Sequence, residues 1–208
     1  ISRSSSASRM SDGISFRERD PYRSRNPYAA TKAGAAELAQ SYHNTFGVPV
    51  ITTHSMNVIG ERQSPEKFVP LVIGKVLAGQ VVTIHADPTR VHPARRGYLH
   101  ARNVYNAIDF LIDPRCCNPA RVIGDRFNIP GDVELDCLEL AEKIAAILDR
   151  PLRYELVDYH SSRPGHDLAY RLDGSRLAGL GFRQPVTFDR SLEKTVLWFR
   201  DHPEWLVM

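Results

Sequence analysis

"NPYAATKAGAAELAQSYHNTFGVPVITTHSMNVIG", residues 26–60, predicts a helix, a short turn and a buried strand. Asn26 is a typical helix N-cap, and Pro27 suits the first helical turn. Gly47 predicts the end of the helix, and the β-branched run that follows Pro49 is typical of a strand. Because a helix that returns through a tight turn to a buried strand is half of a βαβ unit, this segment predicts an α/β fold.

Strand-type and helix-type segments alternate along the rest of the chain, which extends the α/β prediction to the whole molecule. A strongly amphipathic helix is predicted in ELDCLELAEKIAAILD, residues 134–149. Its predicted buried face consists of Leu138, Ala141, Ile144, Ala145 and Leu148.

Composition limits the classes to which the protein can belong. With 208 residues and 42% hydrophobic content, the chain can form one sizeable core and a smaller subdomain. The net charge of +3 is scattered, so it suits an anionic small molecule and does not demand nucleic acid. No apolar run approaches the roughly 20 residues of a membrane span.

The three cysteines have neither a zinc nor a disulfide spacing. We therefore expect a cytoplasmic protein with reduced thiols and no metal, which binds neither nucleic acid nor membrane.

Tyr28 and Lys32 are four residues apart in the predicted helix, so their side chains lie on one face. A nearby ammonium favours the phenolate form of a tyrosine, and such a phenol can take a proton from a hydroxyl and return it. The ammonium can also donate hydrogen bonds to ribose hydroxyls. The pattern is short enough to arise by chance, so two surface residues at helical spacing are the alternative.

Several motifs in order give the chain a family resemblance. The helix and strand at 26–60 are followed by GERQSPEKFVP at 60–70, RPGHD at 163–167 and the tail LGFRQPVTFDRSLEKTVLWFRDHPEW at 180–205. From about residue 14 onward, the chain resembles the NAD-dependent epimerase/dehydratase family of extended short-chain dehydrogenases/reductases. Within that family it is most similar to the dTDP-glucose 4,6-dehydratases.

The resemblance implies a fold and a division into domains. The expected fold is a partial doubly wound, Rossmann-type parallel sheet that lacks its N-terminal strands, plus a small α/β substrate-binding subdomain. Residues 1–19 are expected to be a disordered or irregular lead-in, and 20–60 the C-terminal part of the Rossmann-type domain with the Tyr–Lys helix. Residues 61–208 are expected to form mainly the substrate-binding subdomain, with 80–113 returning to the sheet.

The resemblance also implies a role for the Tyr–Lys pair and a cofactor. Tyr28 matches the family's catalytic tyrosine, and Lys32 matches its ribose-binding lysine, so both would contact NAD. In the family, this tyrosine deprotonates a sugar hydroxyl while hydride passes from C4 to NAD.

Three substrate-binding residues are implied in the middle of the chain. Asn57 matches an asparagine that holds the sugar diphosphate, although a turn asparagine ahead of a glycine is the alternative. Lys67 is placed to reach a phosphate or the nucleotide, and a solvated loop lysine is equally compatible. Arg96 matches an arginine that clamps the diphosphate, with Arg95 as its close competitor.

Two further residues are implied by RPGHD. Arg163 matches a second diphosphate-binding arginine, and an ordinary surface salt bridge is its alternative. His166 is expected to line the nucleotide site, although a loop histidine that caps a turn fits the sequence as well.

The sequence departs from the family pattern in three places. It contains no Gly-x-x-Gly-x-x-Gly motif, so NAD binding would need an upstream segment that this chain does not carry. Ser4 and Ser5 stand where the dehydratases have the Asp and Glu that act as acid and base. His54 stands where many relatives have Arg, and Gly97 where an Asp is common.

Two hypotheses follow. In the first, the chain is the C-terminal portion of an NAD-dependent nucleotide-sugar dehydratase or epimerase, and it forms a homodimer through the Tyr–Lys helix. In the second, it is a non-catalytic, truncated remnant that binds a nucleotide sugar or a partner subunit. The sequence leaves the nucleotide open, and it does not separate dehydratase from epimerase.

Overall fold

A computed structural model describes residues 15–158 and 169–207 of the chain, as strands and helices that alternate. The described strands are β1 (Ser15–Phe16), β2 (Thr52–Ser55), β3 (Asn57–Ile59), β4 (Val82–Ala86), β5 (Arg95–His100), β6 (Arg126–Ile129), β7 (Val133–Asp136), β8 (Tyr154–Asp158) and β9 (Ala169–Leu172). The described α-helices are α1 (Pro27–Phe46), α2 (Phe68–Leu77), α3 (Ala101–Ile112), α4 (Cys137–Ile147), α5 (Ser175–Gly179) and α6 (Phe188–Asp201). None of them is long and apolar enough to cross a membrane.

Helix α1 begins and ends where the sequence predicts. The Asn26 side chain accepts a hydrogen bond from the backbone N–H of Ala29 at 2.8 Å, which caps the first turn. Gly47 ends the helix in the left-handed conformation, with φ of 69°. No residue of α1 is buried among the described residues, although the helix is 20 residues long.

The predicted strand after α1 is divided in two, because the chain changes partner within it. Strand β2 pairs in parallel with β6 and with no other described strand. After the buried Met56, strand β3 pairs in parallel with β5 instead. The chain therefore passes from one sheet to another immediately before Asn57.

Strand β5 is the centre of the larger sheet. The described order is β1–β9–β5–β3, with all three pairs parallel, and β7 adds to β5 as an antiparallel strand. Strand β4 pairs with β8 in a separate two-stranded sheet. Of the two strands within 80–113, β5 belongs to the larger sheet and β4 does not. The division into domains stays a prediction.

The amphipathic helix begins later than the sequence pattern suggests. Asp136 caps it and forms a reciprocal capping box with Glu139, so α4 starts at Cys137 and residues 133–136 form β7. Its buried face also differs by one residue from the predicted one. Leu140 is fully buried, whereas Leu138 is only partly buried at the margin of the core.

Two hydrophobic cores lie on the two faces of β5. The first packs α2, α4 and α6 against one face, and the second packs α3 and α5 against the other. Tyr98 belongs to the first core and Leu99 to the second, because successive side chains of a strand point to opposite faces.

Candidate functional site

Tyr28 and Lys32 lie together on α1, as the four-residue spacing predicts. The Lys32 ammonium is 5.8 Å from the centroid of the Tyr28 ring, within the range of a cation–π contact. Tyr28 is 71% exposed, so its hydroxyl is accessible. Among the described residues, neither side chain has a hydrogen bond or ion pair with Asn57.

The segment that leads into α1 is fixed by a chain of polar contacts around Tyr22. The Tyr22 hydroxyl hydrogen-bonds to His54 Nε2 at 2.9 Å, and the Arg126 guanidinium lies 5.2 Å from the Tyr22 ring centroid. Arg126 also binds Glu37 of α1, with 2.6 Å between Nη2 and Oε1. These contacts attach both the lead-in and the middle of α1 to β2 and β6.

The charges around position 54 are compatible with a histidine there. Burial lowers the pKa of His54, and the nearby positive charge of Arg126 acts in the same direction. A neutral imidazole therefore stands beside Arg126, where a second permanent cation would be repelled. The departure from the family pattern at this position is compatible with the local charges.

Asn57 and Arg96 lie on neighbouring strands and on the same face of the sheet. Asn57 pairs with Tyr98, and Arg96 precedes Tyr98 by two residues on β5. This face is the one that packs against the first core. The structure thus places two predicted substrate residues at the starts of neighbouring parallel strands, close to the point where the chain changes sheets.

Arg95 and Arg96 differ in their partners. The Arg95 side chain lies within 4 Å of three carboxylates, with distances of 3.4, 3.9 and 3.3 Å to Glu134, Asp136 and Glu139. Arg96 donates from Nη1 to the Arg95 carbonyl oxygen at 2.8 Å. Three acidic side chains already surround Arg95, which makes Arg95 a poor candidate to meet an anion. The assignment of that role to Arg96 stays a prediction.

The buried Tyr98 phenol and the partly buried Cys137 thiol both lie within the electrostatic influence of Arg96. Burial raises the pKa of both Tyr98 and Cys137, whose side chains share a hydrogen bond, so both stay protonated near neutral pH. In the part of the chain that the structure describes, no group of three His, Cys, Asp or Glu side chains could hold a metal ion.

Gly97 fits the buried side chain of Met56. A Cβ atom built on Gly97 would lie 3.2 Å from Met56 Cγ and 3.3 Å from Met56 Cε. The Cβ of any larger residue, aspartate included, would therefore be in tight contact with the methionine side chain. The glycine is therefore explained by the packing of β5 against the residue where the chain changes sheets.

Lys67 stands at the N-cap position of α2, with its side chain 58% exposed. Its ammonium lies 3.2 Å from the carboxylate of Glu66, which is also exposed. The structure thus shows an exposed lysine with an acidic neighbour, and its role toward a nucleotide stays a prediction.

Arg163 and His166 lie outside the described residues. The first described residue after them, Ala169, pairs with Arg95 at the start of β5.

One polar cluster near Asn57 has no counterpart in the sequence predictions. His100 is 3% exposed, and its Nδ1 accepts a hydrogen bond from Arg102 N at 3.0 Å, which caps α3. An Nδ1 that accepts leaves the proton on Nε2, which donates to Glu61 Oε2 at 2.9 Å. Arg102 also binds Glu61, with 3.3 Å between Nη2 and Oε1. The three residues come from two segments, so no local pattern marks them.

This geometry holds His100 in its neutral form. Burial lowers the pKa of His100, and it outweighs the opposing effect of Glu61. Protonation of Nδ1 would also remove the acceptor that caps α3. For Glu61, burial acts to raise the pKa, but its backbone hydrogen bond and His100 outweigh burial and lower it.

We expect the free energy of unfolding to fall as the pH falls through about 6.5, the ordinary pKa of a histidine side chain. Below that value the unfolded chain binds a proton that folded His100 does not, so protonation favours the unfolded state. His100→Asn keeps a side-chain oxygen for the cap but removes the titrating ring. Urea unfolding at about pH 7.5 and 5.5 should show a smaller loss of stability in the variant. An equal loss in both proteins would contradict this role for His100.

Comparisons with known proteins identify the family of the chain. The family model described as GDP-mannose 4,6 dehydratase matches residues 9–195. The chain therefore belongs to the GDP-mannose 4,6 dehydratase family. It is 34% identical over 199 residues to a dTDP-glucose 4,6-dehydratase of Xanthomonas campestris, a match that covers 92% of this chain and 54% of the relative.

Solved structures show the same likeness. The dTDP-glucose 4,6-dehydratase of Bacillus anthracis in complex with NAD has a TM-score of 0.79 and 28% identity, and the match covers 94% of this chain and 59% of that one. The dTDP-glucose 4,6-dehydratase DesIV of Streptomyces venezuelae, with NAD bound, has a TM-score of 0.78 and 31% identity, with coverage of 93% and 57%. These matches confirm the predicted Rossmann-type α/β fold. The chain spans little more than half the length of these proteins.

Proposed function

We propose that this chain is the C-terminal, sugar-nucleotide-binding portion of an NAD-dependent nucleotide-sugar dehydratase or epimerase, most like the dTDP-glucose 4,6-dehydratases. The observation that carries the proposal is the placement of Asn57 and Arg96 on one face of β3 and β5. An amide and a guanidinium on neighbouring strands are suited to hold a diphosphate between them.

The residues of α1 fit the part of the NAD site that the family resemblance assigns to them. Tyr28 is accessible, and Lys32 lies within 6 Å of its ring. In this role Tyr28 takes the proton of the sugar O4 hydroxyl, and Lys32 holds ribose hydroxyls and keeps a positive charge beside the phenol. NAD, when bound, accepts the hydride from C4 of the sugar. The cofactor pyrophosphate needs a glycine-rich turn that lies in a segment outside this sequence.

The same proposal includes an assembly and a location. We expect two copies to associate through α1, whose residues are all at least partly exposed in the single chain. We expect the protein to act in the cytoplasm. A non-catalytic, truncated remnant that binds a nucleotide sugar or a partner subunit is the second candidate. Ser4 and Ser5, at the positions where the family resemblance expects carboxylates, favour it.

Calorimetric titration of the purified chain with dTDP-glucose tests the proposal, with UDP- and GDP-sugars as comparisons. We expect dTDP-glucose to bind, and we expect no NAD binding to this chain alone. NAD binding by the chain would contradict the assignment of the cofactor site to another segment. If no nucleotide sugar binds, the proposed function is wrong for both candidates.

Arg96→Gln is expected to weaken nucleotide-sugar binding by about 10- to 100-fold, because a hydrogen bond to a charged group contributes about 1.5–3 kcal/mol. Arg95→Gln is the matched control, since Arg95 is adjacent and chemically identical but faces three carboxylates. Titration of both variants with dTDP-glucose gives the comparison. A larger loss in Arg95→Gln would show that the two arginines have been assigned in the wrong order.

A further inference from the structure

Helix α1 carries Tyr28 and Lys32, yet it buries none of its residues in the part of the chain that the structure describes. Most helices are held in place by the burial of an apolar face, and α1 has little of this stabilisation. Polar contacts must therefore fix where the helix stands. The residues that make these contacts are candidates to position the Tyr–Lys pair.

Two polar contacts of α1 meet at residues 124–126, which we call the anchor segment. Glu37 Oε1 accepts a hydrogen bond from Arg126 Nη2 at 2.6 Å. Gln40 Nε2 donates to the Gly124 carbonyl oxygen at 3.1 Å. Because Glu37 and Gln40 are three residues apart, both lie on one side of α1. That side of the helix is thus fixed to the segment that leads into β6.

Gly124 lets the end of α1 approach the anchor segment closely. Its φ of 80° is a left-handed conformation that favours glycine, and its N–H donates to the Val50 carbonyl oxygen at 2.7 Å. A Cβ atom on Gly124 would lie 2.8 Å from Cδ2 of His43, a residue of α1. The His43 ring is held by a hydrogen bond between its Nδ1 and the Val48 carbonyl oxygen at 2.8 Å. The helix and the anchor segment therefore meet with no room for a side chain between them.

Arg126 contacts both the helix and the lead-in to the helix. Its guanidinium lies 5.2 Å from the ring centroid of Tyr22, whose hydroxyl is hydrogen-bonded to His54 at 2.9 Å. The same guanidinium binds Glu37, so Arg126 meets the chain before Tyr28 and again after it. A guanidinium suits this double contact, because its planar fork can donate to a carboxylate while its face packs on an aromatic ring.

We propose that Arg126 is a positioning residue, which fixes α1 on both sides of Tyr28 and so holds the Tyr28 hydroxyl and the Lys32 ammonium where the substrate meets them. The inference rests on the proposed function and adds a residue that acts through α1 and not on the sugar itself. Arg126 lies on β6, about 100 residues from Tyr28 along the chain, so the site depends on a strand outside the Tyr–Lys segment.

Hydrogen exchange of the purified chain tests the anchor without any ligand. Arg126→Gln is expected to speed the exchange of the α1 amides of residues 32–43 by about 3- to 5-fold, because it removes the ion pair with Glu37. The amides of residues 98–100 on β5 should keep their rates, which would show that the loosening is local. Unchanged α1 exchange would overturn the proposal.

Two further variants guard against a general effect of the substitution. Glu37→Gln breaks the same ion pair from the helix side, where the side chain is 59% exposed, and should also speed α1 exchange. Lys143→Gln is the matched control, because Lys143 forms a 3.0 Å ion pair with Asp189 that joins α4 to α6. It should leave α1 exchange unchanged. Equal acceleration of α1 exchange by Lys143→Gln would contradict a specific anchor.

Charge reversal tests the ion pair more strictly. Arg126→Glu places two carboxylates together and should speed α1 exchange more than Arg126→Gln does. Adding Glu37→Arg to this variant restores opposite charges and should return the exchange rate toward that of the original chain. A double variant that exchanges as fast as Arg126→Glu alone would overturn the role of the pair.

The catalytic consequence is a fall in kcat with little change in KM. In a preparation that turns over dTDP-glucose, Arg126→Gln should lower kcat at least about 10-fold, because a small displacement of a catalytic group is costly. KM should stay within about twofold, since Asn57 and Arg96 hold the substrate in the proposed function. The charge-reversed double variant should recover kcat together with slow exchange. A loss confined to KM, or an unchanged kcat despite faster α1 exchange, would overturn the positioning role.

The outcome for Arg126 is separable from that for the proposed function. Faster α1 exchange in Arg126→Gln, with no nucleotide sugar bound by the original chain, would leave Arg126 as the anchor of α1 and reject the proposed function. Unchanged α1 exchange in a chain that binds dTDP-glucose would reject the anchor alone.

Discussion

Replacing Tyr28 with phenylalanine is expected to lower kcat by about 10²–10⁴-fold in any preparation of this chain that turns over a nucleotide sugar. The change removes only the phenolic oxygen that, in the proposed role, takes the proton of the sugar hydroxyl as a phenolate. Its loss corresponds to about 3–5 kcal/mol of transition-state stabilisation. Because Tyr28 is 71% exposed and α1 buries no residue, the folded chain should be unaffected. Steady-state kinetics with dTDP-glucose would give kcat and KM separately.

Tyr42→Phe is the matched control, because Tyr42 is another exposed tyrosine on the same helix. It loses the same hydroxyl and should keep kcat within about twofold. If Tyr28→Phe behaved like Tyr42→Phe, Tyr28 would be an ordinary surface tyrosine and the proposed base would be wrong.

The second large effect is a loss of folding stability when Gly131 is replaced by alanine. A Cβ atom on Gly131 would lie 2.5 Å from Tyr98 N and 2.6 Å from Tyr98 O. These are backbone atoms of β5, which is held by β3, β7 and β9 and has little freedom to move. We expect Gly131→Ala to lower the free energy of unfolding by about 3 kcal/mol or more, at the upper end of overpacking effects. Urea unfolding would measure the change.

Gly34→Ala is the control for the same chemical change in open space. Gly34 lies within α1, and a Cβ atom there would have no neighbour within 4 Å. Alanine is the better helix former, so this variant should be about 0.5–1 kcal/mol more stable. Equal behaviour of the two variants would contradict the close approach of Gly131 to β5.

Those parts of the fold that depend only on residues close together in the sequence could be predicted from it. The ends of α1 follow from Asn26 and Gly47, whose effects are local. The change of partner at Met56 could not be predicted, because both halves of the run favour a strand and only distant strands decide the pairing. The start of α4 was misplaced for a related reason. The pairing of β7 with β5 holds residues 133–136 extended, although their pattern also suits a helix.

The candidate site likewise has features that the sequence predicts and features that it does not. Tyr28 and Lys32 are one helical turn apart, so their proximity follows from the spacing. The preference for Arg96 over Arg95 could not be predicted, because the carboxylates around Arg95 come from β7 and α4. The contact between His100 and Glu61 joins residues 39 positions apart, and no local pattern indicates it.

Strand β5 has a consequence for how the molecule unfolds. Its Tyr98 and Leu99 side chains are anchored in different cores, so neither core can open without disturbing the strand on which the other is built. The described part of the chain should therefore lose its structure in one cooperative step, with both cores melting at the same temperature and denaturant concentration. A ligand held by Asn57 and Arg96, as proposed, would bind at the start of this shared strand, and it would stabilise both cores together.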